Sequence, residues 1–286
     1  MRTPLEIANG FYVSDSLPLS AQRCINWIPV IPQAAALNNR ALFDAPGLTL
    51  FGTAAGVNRG AQEMGEVPYF VNGNTLYSVD ALGVSTSRGT VEGEGRVSLA
   101  NNGQYLVVVV PGGKAYAFNN VDNSFAEITD VDYRASDTVV YKDGYFVYSS
   151  SDGGVFFNSA LNDPFTYSGL DFGTAEINPD RIVALHVNHN ELFVCGAETV
   201  ELFQNIGGSG FPFQRIAGAN IQKGVHAKFS LVEFDNTFMF IGGGLNERSA
   251  IWKVSGSSSA QKISTSAIDN AIQEFTRDEI ESAFSW

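Results

Sequence analysis

The chain has 286 residues, 44% of them hydrophobic, with 29 glycines, 21 phenylalanines and 10 tyrosines. That is enough apolar material for a real core and excludes disorder, and the Gly and aromatic richness favours strands joined by tight turns over a helical bundle. The net charge of −13 repels phosphate, which disfavours tight binding to DNA or to an anionic membrane.

Residues 1–56 carry Pro4, Pro18, Pro29, Pro32 and Pro46, which interrupt every candidate element. Proline lacks a backbone donor and fixes φ, so this stretch is predicted as an extended N-terminal arm with short strands that reaches onto a neighbour or braces the domain. It has no basic start followed by an apolar core, as a signal peptide would. The longest apolar run, Tyr105 to Val110, is far too short to span a bilayer. A protein without a membrane anchor, made in the cytoplasm, is the expectation. Cys24 and Cys195 stand far apart with no CxxC spacing, which predicts free thiols and no redox chemistry.

From residue 57 to 263 one design recurs at Tyr69, Tyr105, Tyr145, Leu192 and Phe238, at intervals of 36, 40, 47 and 46 residues. Each repeat has an apolar strand, a turn and a returning strand: Thr75 to Val79 in the first, Lys114 to Asn119 in the second, Val155 to Asn158 in the third. Thr199 to Gln204 and Ala250 to Val254 return in the last two. Ahead of four of the five lies a further strand, Arg96 to Asn101, Thr138 to Lys142, Ile182 to Asn188 and Lys228 to Phe234. Asn102-Gly103, Asp143-Gly144, His189-Asn190 and Asp235-Asn236 form the hairpins, since Asn, Asp and Gly tolerate positive φ. A more polar fourth strand, as at Ser124 to Thr129 and Phe213 to Ala217, completes sheets of about 40 to 50 residues. Apolar middle strands need cover on both faces, and radial stacking of sheets supplies it. The fold class is therefore all-β: a β-propeller of four-stranded blades.

Residues 264–286 switch to helix period, with Ile268, Ile272 and Phe275 on one face and Ile280 and Phe284 on the next, and Thr276 and Glu279 at capping-box spacing. The apolar stripe reads as core or subunit contact. Five repeats followed by helices rarely close a ring, so further blades, from more chain or from a partner, are expected.

The arm reads Ser16-Leu17-Pro18-Leu19-Ser20-Ala21-Gln22-Arg23-Cys24-Ile25-Asn26-Trp27-Ile28-Pro29, followed by Pro46-Gly47-Leu48. This resembles the opening of the packaged-DNA stabilisation proteins, the tail hub or nozzle subunits of short-tailed bacteriophages. The helix pair ending at Trp286 is similar to a mid-chain segment of that family; Trp27 departs from the more usual Tyr or Met-like residue. The resemblance implies a structural, non-enzymatic virion tail protein that assembles as a ring, most simply a hexamer. It also implies that the ring closes the portal channel after packaging, joins the portal and adaptor to tailspikes or a tail needle, and lets packaged DNA pass or stop without sequence-specific binding. The acidic excess then predicts an anionic passage, with Glu127, Asp130, Glu176 and Glu201 as examples of the carboxylates that could line it.

The alternative is a carbohydrate-active propeller, sialidase-like or lectin, suggested by Ser150-x-Asp152-x-Gly154-x-x-Phe157, an Asp-box pattern. It occurs once, in a turn that other blades build with Gly112-Gly113 or Gly242-Gly243-Gly244, so a plain β-turn is the better reading. His186 and His189, three apart on a strand, point to opposite faces, and turn or edge positions account for them and for His226. Gly207-Gly208-Ser209-Gly210 lacks the Lys-Ser/Thr of a phosphate loop. Asp130, Asp132 and Asp137 lack the glycine of a calcium loop and read as a solvated connection. No catalytic, cofactor-binding or metal-ligating residue is nominated.

Overall fold

The computed structural model describes residues 25–30, 41–175, 177–178, 180–208 and 210–285. In the arm, β1 (Trp27–Val30) and β2 (Ala41–Asp44) form a two-stranded antiparallel ribbon with Trp27, Ile28 and Phe43 exposed. Five antiparallel sheets follow, the first four of them consecutive meanders.

Blade 1 comprises β3 (Asn58–Met64), β4 (Val67–Asn72), β5 (Thr75–Val79) and β6 (Ser85–Thr90). Blade 2 comprises β7 (Ser98–Asn101), β8 (Tyr105–Val109), β9 (Ala115–Asn119) and β10 (Phe125–Glu127). Blade 3 runs β11 (Ser136–Lys142), β12 (Tyr145–Ser150), β13 (Phe156–Ala160) and β14 (Asp163–Gly173), and blade 4 runs β15 (Ile182–Asn188), β16 (Glu191–Gly196), β17 (Val200–Asn205) and β18 (Phe213–Ile221). Blade 5 has five strands: β19 (Gly224–Val225) and β20 (Val232–Phe234) both pair with β21 (Thr237–Gly243), then β22 (Ala250–Ser255) and β23 (Ser259–Lys262) complete it.

The apolar middle strands behave as their sequences require. Leu106, Val107, Val108 and Val109 on β8 are each 0% exposed, because one side of the strand packs toward blade 1 and the other toward blade 3. Four hydrophobic clusters fill the spaces between consecutive blades. Among the described residues, none of these clusters holds residues of both blade 1 and blade 5. Burying one such side chain stabilises the fold by about 1.5–3 kcal/mol, so a blade stripped of its neighbour loses most of its stabilisation.

Hairpin turns show the expected chemistry: Asp143, His189, Asp235 and Asn236 all have positive φ, as does Gly144. Blade 1 has an inner strand, β3, where none was expected. Its sequence, Asn-Arg-Gly-Ala-Gln-Glu-Met, is polar apart from Ala61 and Met64, and hides the strand from hydrophobic periodicity. Arg59 explains how a cation sits there. Its side chain donates to Gly95 O (2.6 Å), Gly73 O (3.0 Å) and Val91 O (3.1 Å), tying blade 1 to the connection entering blade 2.

After β23 come α1 (Ser266–Gln273) and α2 (Arg277–Glu281), the latter opened by the capping box of Thr276 and Glu279. Neither helix buries a residue fully, and Ile268 and Phe275 of the apolar stripe remain exposed. Among the described residues no helix is long and apolar enough to cross a membrane.

Arg59→Met removes the donor of three carbonyl contacts and leaves those groups under-satisfied, so it is expected to lower unfolding stability by about 2–4 kcal/mol. A chemical denaturation midpoint measured beside the unmodified chain checks this.

Candidate functional site

In a radial stack the first strands of the blades face the common axis, and contacts between successive blades run β3 to β7, β7 to β11 and β11 to β15. Contacts that skip a blade must cross the space these strands enclose. Two such contacts are the one made from the inner strand of blade 5 and the one made by the segment after α2.

The inner strand of blade 5 is broken. The sequence predicts a continuous strand over Lys228 to Phe234, but only Val232–Phe234 pairs there, while residues 227–231 loop away after β19 and the His226 N bond to Ile241 O (2.9 Å). Ser230 stabilises the break: its N and Oγ both donate to Ala227 O, and the same Oγ accepts from Ile241 N (3.0 Å), an amide in β21. The loop carries Lys228 onto Asp137 of blade 3, where Arg181, at the entrance to blade 4, also approaches at 3.6 Å. Asp137 is nearly buried and lies between two cations.

The segment after α2 adds the second crossing. Phe284 forms a parallel bridge with Phe229, Ser285 N donates to Phe229 O (3.0 Å), and the Arg96 guanidinium at the entrance of blade 2 lies over the Phe284 ring. One end of the axis is therefore crossed by chain from blade 5 and from the segment after α2.

This overturns the reading of Asp130, Asp132 and Asp137 as one solvated connection. Asp130 accepts from Asp132 N (2.8 Å) in a local turn, whereas Asp137 begins an inner strand and is buried in an ion-pair triad. Of the carboxylates named as examples for a passage, neither Glu127 nor Glu201 faces this axis. Glu127 is on the outermost strand of blade 2, paired with Lys114, and Glu201 is buried within blade 4. Glu176 lies outside the described residues.

Glu201 accepts from Ile177 N (2.6 Å) while its other oxygen has no hydrogen-bond partner, and burial raises its pKa. Asp180 beside it caps the turn from Ala197 by accepting from Glu198 N (2.7 Å) and Thr199 N (2.9 Å). The pair anchors the connection into blade 4. Nothing in the sequence flagged it, because the cation of Glu201, Arg215 at 3.7 Å from the second oxygen, comes from the neighbouring strand β18.

The remaining motifs resolve as turns or core. Asp152 of the Asp-box pattern accepts from Gly154 N (2.8 Å) in the β12–β13 hairpin. Gly207 donates to Asn205 Oδ1 in an exposed turn, and Cys195 is a buried free thiol whose pKa burial pushes up. His189 sits in a turn, its Nε2 facing Asn236 Oδ1 at 3.2 Å, and His226 Nδ1 meets Ser249 Oγ at 2.7 Å. His186 lies on β15, an edge strand of its sheet as expected, with its ring against Phe238 and its Nε2 buried without a partner. Among the described residues no group of three His, Cys, Asp or Glu could hold a metal ion.

The family model described as bacteriophage P22 Gp10, beta-propeller, matches residues 1–285. No curated protein matches the chain. Among solved structures the chain is similar to the computationally designed Ika8 protein (14% identity over 84% of this chain and 70% of that one, TM-score 0.46). It is also similar to Hsv2 of Kluyveromyces lactis (10%, 85% and 83%, 0.47) and to YjhT (10%, 72% and 83%, 0.44). With TM-scores under 0.5, these likenesses carry no argument.

Desolvation lowers the His186 pKa from 6.5 to about 4. Above pH 6.5 both folded and unfolded chains hold it neutral. As pH falls below 6.5 the unfolded chain takes up a proton that the folded chain refuses, so stability is lost down to about pH 4, by about 3 kcal/mol in total. His186→Phe keeps the ring contact with Phe238 and is expected to flatten that part of the stability–pH curve. The slope left over above about pH 5.5 belongs to His226, whose pKa burial also lowers, and below it carboxylates held low in the folded chain, such as Glu247 and Glu279, add to it. Denaturant midpoints measured from pH 7.5 to 4 check both.

Proposed function

Because the chain belongs to the family of the bacteriophage P22 Gp10 β-propeller, we propose that this phage tail protein is a structural tail hub subunit that closes the portal channel after DNA packaging. In this reading copies of the chain form a ring, most simply a hexamer, beneath the portal and adaptor, and the ring carries the tailspikes or tail needle. The family match over residues 1–285 is the observation that carries it.

The geometry supports a scaffold. Spaces between consecutive blades are filled by apolar clusters, and the axis is crossed by the Asp137 triad and by Phe284. A duplex therefore has no route along a single propeller, and any passage lies between copies. The charge of −13 suits a wall that DNA passes without adhering, since each phosphate contact released at a cationic wall would carry a counterion cost. Retention of the genome then falls to a physical plug, with no sequence-specific contact to DNA.

Particles assembled without this protein are expected to package DNA and then lose it, measured as nuclease-sensitive DNA after head purification. Supplying the chain in trans restores retention. Particles that keep their genome and infect in its absence would sink the proposal.

A further inference from the structure

The β1–β2 ribbon carries apolar residues on both of its faces. Ile28 stands opposite Phe43 and Val30 opposite Ala41, so these four share one face, while Trp27 and Leu42 share the other with Asp44, the charged residue of the two strands. A two-stranded hairpin alone in water is marginally stable at best, and a sheet apolar on both faces needs cover on both. Its own blades do not supply that cover. Ile28 is 48% exposed and Phe43 58%, and every residue from 43 to 53 is exposed. The arm joins the stack at the rim of blade 1, beside its outermost strand, where Gly52 and Gly83 meet backbone to backbone and Ser85 Oγ donates to Thr53 O (2.9 Å).

Blades 1 and 5 each keep one uncovered sheet face. Tyr69, Val71 and Leu76 of blade 1 turn into the cluster shared with blade 2, so Phe70, and Tyr77 opposite it, turn away. Phe238 and Phe240 of blade 5 turn into the cluster shared with blade 4, so Met239 and Ile241, and Ile251 opposite Ile241, turn away. All five are half-buried, and none joins a hydrophobic cluster among the described residues. In a radial stack these two faces are the walls of one gap.

We propose that this gap is filled by the β1–β2 ribbon of a second copy of the chain, one ribbon face against blade 1 and the other against blade 5. The ribbon is a sheet that lacks two neighbours, and the gap is a pair of sheets that lack one, so a ribbon seated there packs at about 10 Å from each wall, as stacked sheets do. Departure from the rim carries the ribbon outward to a neighbour rather than inward over its own blade. Exchange of an identical element between copies is a low-cost route to assembly, and because donor and acceptor are different surfaces the contact passes from copy to copy and closes into a ring when its rotation permits. The inference rests on the reading of the protein as a self-assembling ring and adds the element that joins the copies.

The test is crosslinking in the full chain, with Cys24→Ser throughout and the buried Cys195 left in place. One version carries Val30→Cys and another Met239→Cys; the two are co-expressed and treated with a thiol crosslinker that reaches about 10 Å, the distance between packed sheets. A covalent dimer is expected from the mixture and from neither version alone, and a chain carrying both cysteines is expected to give a ladder of multimers. An internally bridged monomer from that double variant, with no dimer from the mixture, places the ribbon in its own gap and overturns the proposal. Ile28→Asp with Phe43→Asp is expected to weaken association at least about tenfold in sedimentation, with an unchanged melting midpoint, because two apolar side chains leave the contact. Raised salt is expected not to weaken the unmodified assembly, since the contact is apolar. A ribbon variant that assembles like the unmodified chain, or versions that assemble without crosslinking, overturn the ribbon contact and leave the ring standing. An unmodified chain that stays monomeric at every concentration removes the ring itself, and this proposal with it.

Discussion

A β-strand that is apolar on both faces must be covered twice, and most of this structure follows from that constraint. The four valine, leucine and tyrosine-rich segments from Leu106 to Phe240 cannot satisfy it within their own sheets, because a sheet covers only its edges and not its faces. Each blade therefore depends on the blade before and the blade after, and the aromatic residues fill the wedge between them. Tyr133, Tyr148, Phe157 and Tyr167 do this between blades 2 and 3. Their rings meet edge-on, tilted or stacked at 5.2–6.1 Å, and Tyr167 donates to Pro164 O and accepts from the Tyr148 hydroxyl, both at 2.8 Å, so the phenols are satisfied while the rings stay dry.

The same constraint decides what could be read from the sequence. Strands such as β8, β12 and β16 announce themselves because two-sided burial demands unbroken apolar runs, and their turns because positive φ demands Asn, Asp or Gly. The strands at the axis carry no such signature. β3 is held by the Arg59 side chain acting on carbonyls, which is chemistry no periodicity reports, although extending the repeat interval back from Ser98 would have pointed to it. The break in the inner strand of blade 5 was invisible for a different reason: Lys228 and Phe229 are acceptable strand residues, and only the ion partner on blade 3 and the returning segment at Phe284 draw them out.

Asp137 illustrates the cost of organising an axis. A carboxylate so nearly buried is stable only when paired, and removing one partner of a buried pair costs more than the pair contributes against an apolar alternative. Two cations from different blades converge on it, and both come from connections rather than strands. The triad is thus better understood as a register device that fixes blades 3, 4 and 5 relative to one another than as a source of net stability. The candidate motifs in the sequence missed it because the three participants are separated by more than forty residues each and meet only after the blades have stacked.

Repetition has a further consequence at the surface. Once the middle strands are committed to packing, composition is free to vary only at the turns, and the meander divides those turns between two ends without reference to what they carry. In this chain carboxylates stand at both ends: Glu66, Asp122 and Glu191 at the end built from short hairpins, and Glu92, Asp130, Glu198 and Glu247 at the end where connections and helices converge. Cations of the second end, among them Arg181 and Lys228, are drawn onto buried or neighbouring carboxylates such as Asp137. Acidity is thus spread over the whole surface, where it serves solubility.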